Sequence, residues 1–270
     1  MIDIFGIDHI CGTCNNIDIA SNVLSKLNFK IIFKTYNLNS VPEKKLFLKQ
    51  NVESHDSAFL SASSNGLSIE MINHHSHNET HGNYEIIIEG NSKQFINEST
   101  YVGEDALCKL INSQFKYKLA KFHIPKLDLF YYYKKSESFS GISNIVLKCK
   151  NIEQVVRFWT QGLGFEFVEK SNKGNIWNLR FTGPMDNWNT SLLLIEDKDL
   201  QINNSYLDSS GWTCVSFIVN EIELCIKKLK FLGAIKIGEP YNFKINEKNM
   251  RLAFLSGPSM ELIELIEFKK

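Results

Sequence analysis

The chain has 270 residues, 43% of them hydrophobic, enough for two compact domains. Its 30 Lys and Arg balance 30 Asp and Glu, so it has no field that would gather nucleic acid or another polyanion. No apolar run reaches the roughly 18 residues of a membrane span, and Met1-Ile2-Asp3-Ile4 lacks a charged signal-peptide opening; the expectation is a soluble, cytoplasmic chain, monomeric or homodimeric.

In chain order, His9, Cys11 and Thr13 alternate with Ile10, Gly12 and Cys14, which predicts a strand. A helix is predicted from Asp18 to Leu27, with Ile19, Val23 and Leu27 on one stripe. Ile31–Phe33, Leu46–Leu48, Ser57–Leu60 and Leu67–Ile72 then read as strands. Cys11 and Cys14 fall on opposite faces of their strand, so this CxxC reads as two structural thiols, like the other four cysteines.

The opening returns. Gly6-Ile7-Asp8-His9-Ile10 and Gly141-Ile142-Ser143-Asn144-Ile145 stand half a chain apart, and the match continues through Cys14 and Cys149, and Asn16 and Asn151. A third copy opens at Gly211-Trp212-Thr213-Cys214 and a fainter one at Gly82-Asn83-Tyr84-Glu85. Repeats of this length are supersecondary blocks, here β-α-β-β-β. Polar joints lie between them, among them His74 to His81, whose histidines invite a metal reading against the plainer one of a solvent-exposed linker.

The Gly162-Leu163-Gly164-Phe165 corner after a short helix, and Gly257-Pro258-Ser259 leading into Glu261-Leu262-Ile263-Glu264-Leu265, resemble the vicinal oxygen chelate superfamily. That family includes glyoxalase I, bleomycin-resistance proteins, methylmalonyl-CoA epimerase and extradiol dioxygenases. The resemblance implies an α+β fold of four tandem βαβββ modules forming two curved mixed sheets. The implied glyoxalase-like domains are 1–137 (modules 1–73 and 82–135) and 138–270 (modules 140–197 and 210–268).

In the resembled family, paired modules curve into a cup, and one inward residue from the first strand and one from the last strand of each module converge on a divalent metal. Here the first-strand column holds His9, Glu85, Asn144 and Cys214. The last-strand column holds Glu70, Asp128, a leucine at 193 or 194, and Glu264. The expected metal set is His9, Glu70, Glu85 and Asp128, all in the amino half, with the ion Fe(II), Mn(II), Ni(II) or Zn(II) and no organic cofactor. A carboxylate on an otherwise apolar strand is costly to bury unless it is paired or coordinated, which singles out Glu70.

Glu70 and Glu264 are the expected catalytic carboxylates, acting as ligand or general base. Asn144 and Cys214 stand where an extradiol dioxygenase would need histidines, so they are read with Trp177 and Trp188 as substrate contacts; Trp159 is read as core. The expected function is a metal-dependent lyase, isomerase, epimerase or oxygenase of a small oxygenated molecule. The alternative is a metal-free protein that binds or sequesters a small molecule, of the bleomycin-resistance type.

Overall fold

The computed structural model describes residues 4–62, 66–76, 79–91, 98–115, 117–137, 141–184, 190–201, 204–245 and 247–269. The first module contains β1 (Ile4–Thr13), α1 (Ile17–Lys26), β2 (Phe29–Asn39), β3 (Ser54–Ala62) and β4 (Ser68–Asn73). The second contains β5 (Tyr84–Gly90), β6 (Thr100–Gly103), α2 (Ala106–Phe115), β7 (Leu119–Ile124) and β8 (Leu129–Lys135). The third has β9 (Gly141–Cys149), α3 (Ile152–Arg157), β10 (Phe165–Lys170), β11 (Ile176–Phe181) and β12 (Ser191–Glu196). The fourth has β13 (Trp212–Val219), α4 (Ile222–Phe231), β14 (Lys236–Ile237), β15 (Tyr241–Ile245), β16 (Lys248–Ser256) and β17 (Leu262–Phe268).

Helix starts follow local chemistry. The Asn16 side chain accepts from the amides of Asp18 and Ile19 at 2.9 and 3.0 Å, and Asn151 accepts from Gln154 at 3.1 Å, so each asparagine satisfies otherwise orphaned donors. Of the residues Leu46–Leu48, read as a strand, Leu46 and Phe47 belong instead to a 3₁₀ turn, Pro42–Phe47, and Leu48 follows it in extended conformation. Pro42 explains the difference, because its fixed φ and missing N–H suit a first helical position and remove a ladder donor.

Strand pairing joins the first module to the fourth. β1 runs antiparallel to β13, with His9 opposite Ser216 and Cys11 opposite Cys214. β4 and β17 flank this pair in parallel, then β3 and β2 on one side and β16 and β15 on the other. The second and third modules pair likewise through β5 and β9, flanked by β8 and β12. The two sheets meet where Trp212 pairs with Tyr84, and His81 bridges Ser210.

One apolar core takes alternate residues of both sheets, including Ile10, Ile86, Ile145 and Phe217, with the buried stripes of α1, α3 and α4. The opposite faces behave differently in the two sheets. In the second, Ile87, Tyr132, Val146 and Leu193 are sealed by Leu107, Cys108 and Ile111 of α2. In the first, Phe47 at the end of the 3₁₀ turn and Leu48 just after it, with Val52 and Leu207, pack over Cys11, Cys214, Leu262 and Phe254. Only part of that concave face is filled.

Candidate functional site

The unfilled part is a cavity of about 290 Å³. Ile32, Phe33, Phe59, Phe243, Met250 and Phe268 are among its walls, and its polar groups are Asp8, His9, Glu70, Glu264 and Lys248. The polar groups converge because β1, β4, β13 and β17 lie side by side and residues two apart share a face. Cys11 lies opposite Glu70, and Ser216 opposite Glu264, in the two parallel ladders.

His9 is buried, and its Nδ1 lies 2.7 Å from Asp8 Oδ2. A carboxylate accepts only, so Nδ1 donates and fixes the ring's orientation. Nε2 then faces Glu70 Oε2 at 3.2 Å, Glu264 Oε2 at 3.7 Å and Ser216 Oγ at 3.0 Å. Ser216 also donates to Glu264 Oε2 at 2.6 Å, and Ser57 donates to Glu70 Oε1 at 2.6 Å. Phe59 closes one side, its ring edge-on to the imidazole at 5.3 Å.

The electrostatics follow from this crowding. Burial opposes a charge on His9, but Cys11, Asp8 and Glu70 outweigh it and hold the imidazole pKa well above its usual range. Burial alone would raise Glu70, yet His9 and the Ser57 hydroxyl bring it down to about 2. Glu264 moves the other way: burial lifts it, and the adjacent Glu70 charge adds to the lift. The two carboxylates are thus split, one ionised and one inclined to keep a proton. Lys44, buried beneath with its ammonium 5.5 Å from the Phe254 ring, supplies a nearby positive charge.

This geometry suits a cation. An imidazole nitrogen and two carboxylate oxygens, all acceptors once deprotonated, meet in one buried place and require a proton or a metal among them. Among the described residues, His9, Cys11 and Glu264 each offer one ligand atom, all within 4.8 Å of one another.

Among the residues singled out from sequence, His9, Glu70, Glu264 and Cys214 fall in one cup, with Cys214 beneath the polar cluster and packed in the filled part. Glu85 and Asp128 do not join them. Glu85 sits in the other sheet, 3.4 Å from Lys148. Asp128 is in the turn before β8 with φ 51°, and its Oδ1 lies 2.9 Å from His123 Nε2. Module pairing explains both placements, since β1 finds its partner in the fourth module and not the second.

Asn144 is buried in the second sheet opposite Ile87 and accepts from Ser143. Trp177 lies on β11, donates to the Gly174 carbonyl and packs edge-on to Phe167. Trp188 lies outside the described residues. Trp159 is fully buried core and donates to Glu261 at 3.1 Å. In the histidine-rich joint, His74 is buried, His75 lies 3.3 Å from Asp56, and His77 is outside the described residues. Sequence reasoning passed over Ser216, Ser57, Asp8 and Cys11. Ser216 and Cys11 carried a signal, since each is two residues from a first-strand column position and so on its face.

No protein-family model matches the chain, and no curated protein matches it. Solved structures do. Glyoxalase I from Zea mays superposes with a TM-score of 0.67 at 14% identity, covering 97% of this chain and 92% of the maize chain. A structure described as a putative dioxygenase from Bacillus subtilis gives 0.65 at 10% identity, covering 100% of this chain and 87% of its own. The chain therefore has the fold of these two solved structures. At such identities the likeness speaks for this fold alone, and the chemistry has to be argued from the chain's own cup. No helix among the described residues is long and apolar enough to cross a membrane.

Proposed function

We propose that the chain is a metal-dependent enzyme of the vicinal oxygen chelate type that moves a proton on a small oxygenated molecule, as a lyase, isomerase or epimerase does. The observation that carries this reading is the convergence of His9 Nε2 with Glu70 Oε2 and Glu264 Oε2 at 3.2 and 3.7 Å on the wall of an otherwise apolar cavity. His9, Glu70 and Glu264 would hold the ion. A divalent ion held by these residues would supply Lewis-acid stabilisation of the charge that develops on the substrate oxygens.

The chain's own groups divide the remaining work. Asp8 holds His9 in the orientation that aims Nε2 at the centre. Glu70, ionised and tied to Ser57, is the fixed anionic ligand. Glu264, whose carboxyl is lifted by burial and which lies on the cavity wall, is placed to take and return a substrate proton. Phe33 and Phe59, stacked at 5.5 Å, offer a flat apolar wall for the substrate body and keep water from the reacting carbon.

The same aromatic cavity supports a second reading, a metal-free protein that binds a small apolar ligand. Metal analysis of protein purified without chelator, beside His9→Ala, separates the two. Stoichiometric metal that is lost in His9→Ala supports the enzyme reading; a metal-free wild type overturns it.

A further inference from the structure

We infer that Cys11 is a metal ligand in this cup, so that the centre is a thiolate site selective for zinc. The inference rests on the metal reading above and concerns which atoms complete it. Cys11 Sγ lies 3.6 Å from Glu70 Oε2, and its thiol is in the group of three ligand atoms, with His9 and Glu264, that fit within 4.8 Å. A tetrahedral ion with N and O ligands at roughly 2.0–2.2 Å and sulfur at roughly 2.3 Å sets N and O about 3.3 Å apart and S and O about 3.5 Å apart. The observed His9–Glu70, His9–Glu264 and Cys11–Glu70 separations are 3.2, 3.7 and 3.6 Å. Three of the six edges of such a tetrahedron are thus near these lengths, and the His9, Cys11 and Glu264 ligand atoms lie within 4.8 Å of one another.

The register makes this arrangement a property of the fold. Cys11 faces Glu70 in one parallel ladder, and Cys214 faces Cys11 across the antiparallel pair. Cys214 belongs with the packed apolar groups, and its Sγ lies 3.8 Å from the carbonyl of Val215, where it can donate. It is placed beside the neighbouring sulfur, directly across the strand pair. Cys11 is also buried on the filled side, among Phe47, Leu48 and Val52, whereas His9, Glu70 and Glu264 open on the cavity. The thiolate therefore approaches an ion from behind and leaves the cavity side free for two substrate oxygens, with the ion expanding its coordination as substrate arrives.

Binding is a simple exchange: the dication forms a bond to sulfur, the S–H bond breaks, and the proton leaves to solvent. A soft thiolate beside imidazole and carboxylates favours Zn(II) over Fe(II) or Mn(II), which narrows the four ions compatible with His and carboxylate alone.

Cobalt(II) is the probe, because a cobalt–thiolate bond produces a near-ultraviolet charge-transfer band that oxygen and nitrogen ligands do not. Cobalt-loaded wild type should show the band; Cys11→Ser should lose it, and in competition between zinc and manganese should shift towards manganese. Cys214→Ser should keep the band. One cobalt bound per wild-type chain with no charge-transfer band overturns the inference while leaving the metal reading intact, even if Cys11→Ser fails to fold. A band that vanishes in Cys214→Ser but persists in Cys11→Ser also overturns it. Failure of wild type to bind cobalt or zinc at all sinks both readings, and a band retained in His9→Ala places the thiolate site elsewhere and overturns both.

Discussion

His9 Nε2 and Glu70 Oε2 lie 3.2 Å apart, carried by neighbouring parallel strands in which Glu70 sits opposite Cys11, two residues beyond His9. This pair is the electrostatic centre of the cup. Glu70 is held down to about 2 by His9 and Ser57 against the effect of burial. Its charge therefore stabilises the fold above the ordinary carboxylate range, and that contribution is lost as pH falls towards 2. Glu70→Gln leaves His9 without this partner. We expect a metal-free stability loss of about 3 kcal/mol at pH 7, as for other broken buried pairs, and a metal affinity reduced by at least about tenfold. Chemical denaturation and metal titration of the same variant check both. Full metal content with unchanged stability would remove Glu70 from the centre.

Asp8 acts through the histidine. Its Oδ2 accepts from His9 Nδ1 at 2.7 Å, so Asp8→Asn should weaken metal binding by about 10–100-fold while leaving the unfolding midpoint nearly in place. Metal titration by calorimetry measures the first and thermal unfolding the second. An unchanged affinity would make the Asp8 contact incidental.

Glu261 is expected to make stability depend on pH. Burial pushes its carboxyl up from 4.5 to about 7, against the amide of Ser259 and the Trp159 indole, which donate to it at 2.7 and 3.1 Å. Between those values the folded chain holds a proton that the unfolded chain has released, so stability falls as pH rises from 4.5 to 7 and is level above. The full change is about 3 kcal/mol. Denaturation midpoints across this window, compared with Glu261→Gln, should show a slope in the wild type and a flatter line in the variant.

The joint between the two sheets depends on close approach. A Cβ on Gly82 would stand 2.0 Å from the Trp212 carbonyl oxygen, a backbone atom on the strand that pairs with β5. Gly82→Ala should therefore cost about 1–3 kcal/mol or more, as overpacking does, measurable as a lowered denaturation midpoint. A neutral effect would show that the joint yields.

Much of this architecture was legible because its signal is periodic. The glycine-led repeats at Gly6, Gly141 and Gly211 announced the modules, and counting three residues onward gave His9 and Cys214, which share a cup. Glu70 and Glu264 were found because carboxylates on apolar strands stand out. Which module pairs with which was not legible: Glu85 and Asp128 were grouped with His9 because they are nearer in sequence, whereas β1 hydrogen-bonds to β13. Alternation fixes a strand's faces but does not name its neighbour. Asp8 was hidden for another reason, since the register shift between Ile7 and His9 disturbs the alternation that would have placed it. From compartment and strand geometry Cys11 reads as a structural thiol, until the ladder puts Glu70 opposite it.

The most direct measurement is anomalous scattering from crystals of protein loaded with zinc, collected at the zinc edge. The account expects one strong peak in the cup of the first and fourth modules, within about 2.0–2.6 Å of His9 Nε2 and of oxygens of Glu70 and Glu264. A peak elsewhere in the chain, or none in this cup at full zinc loading, would contradict it.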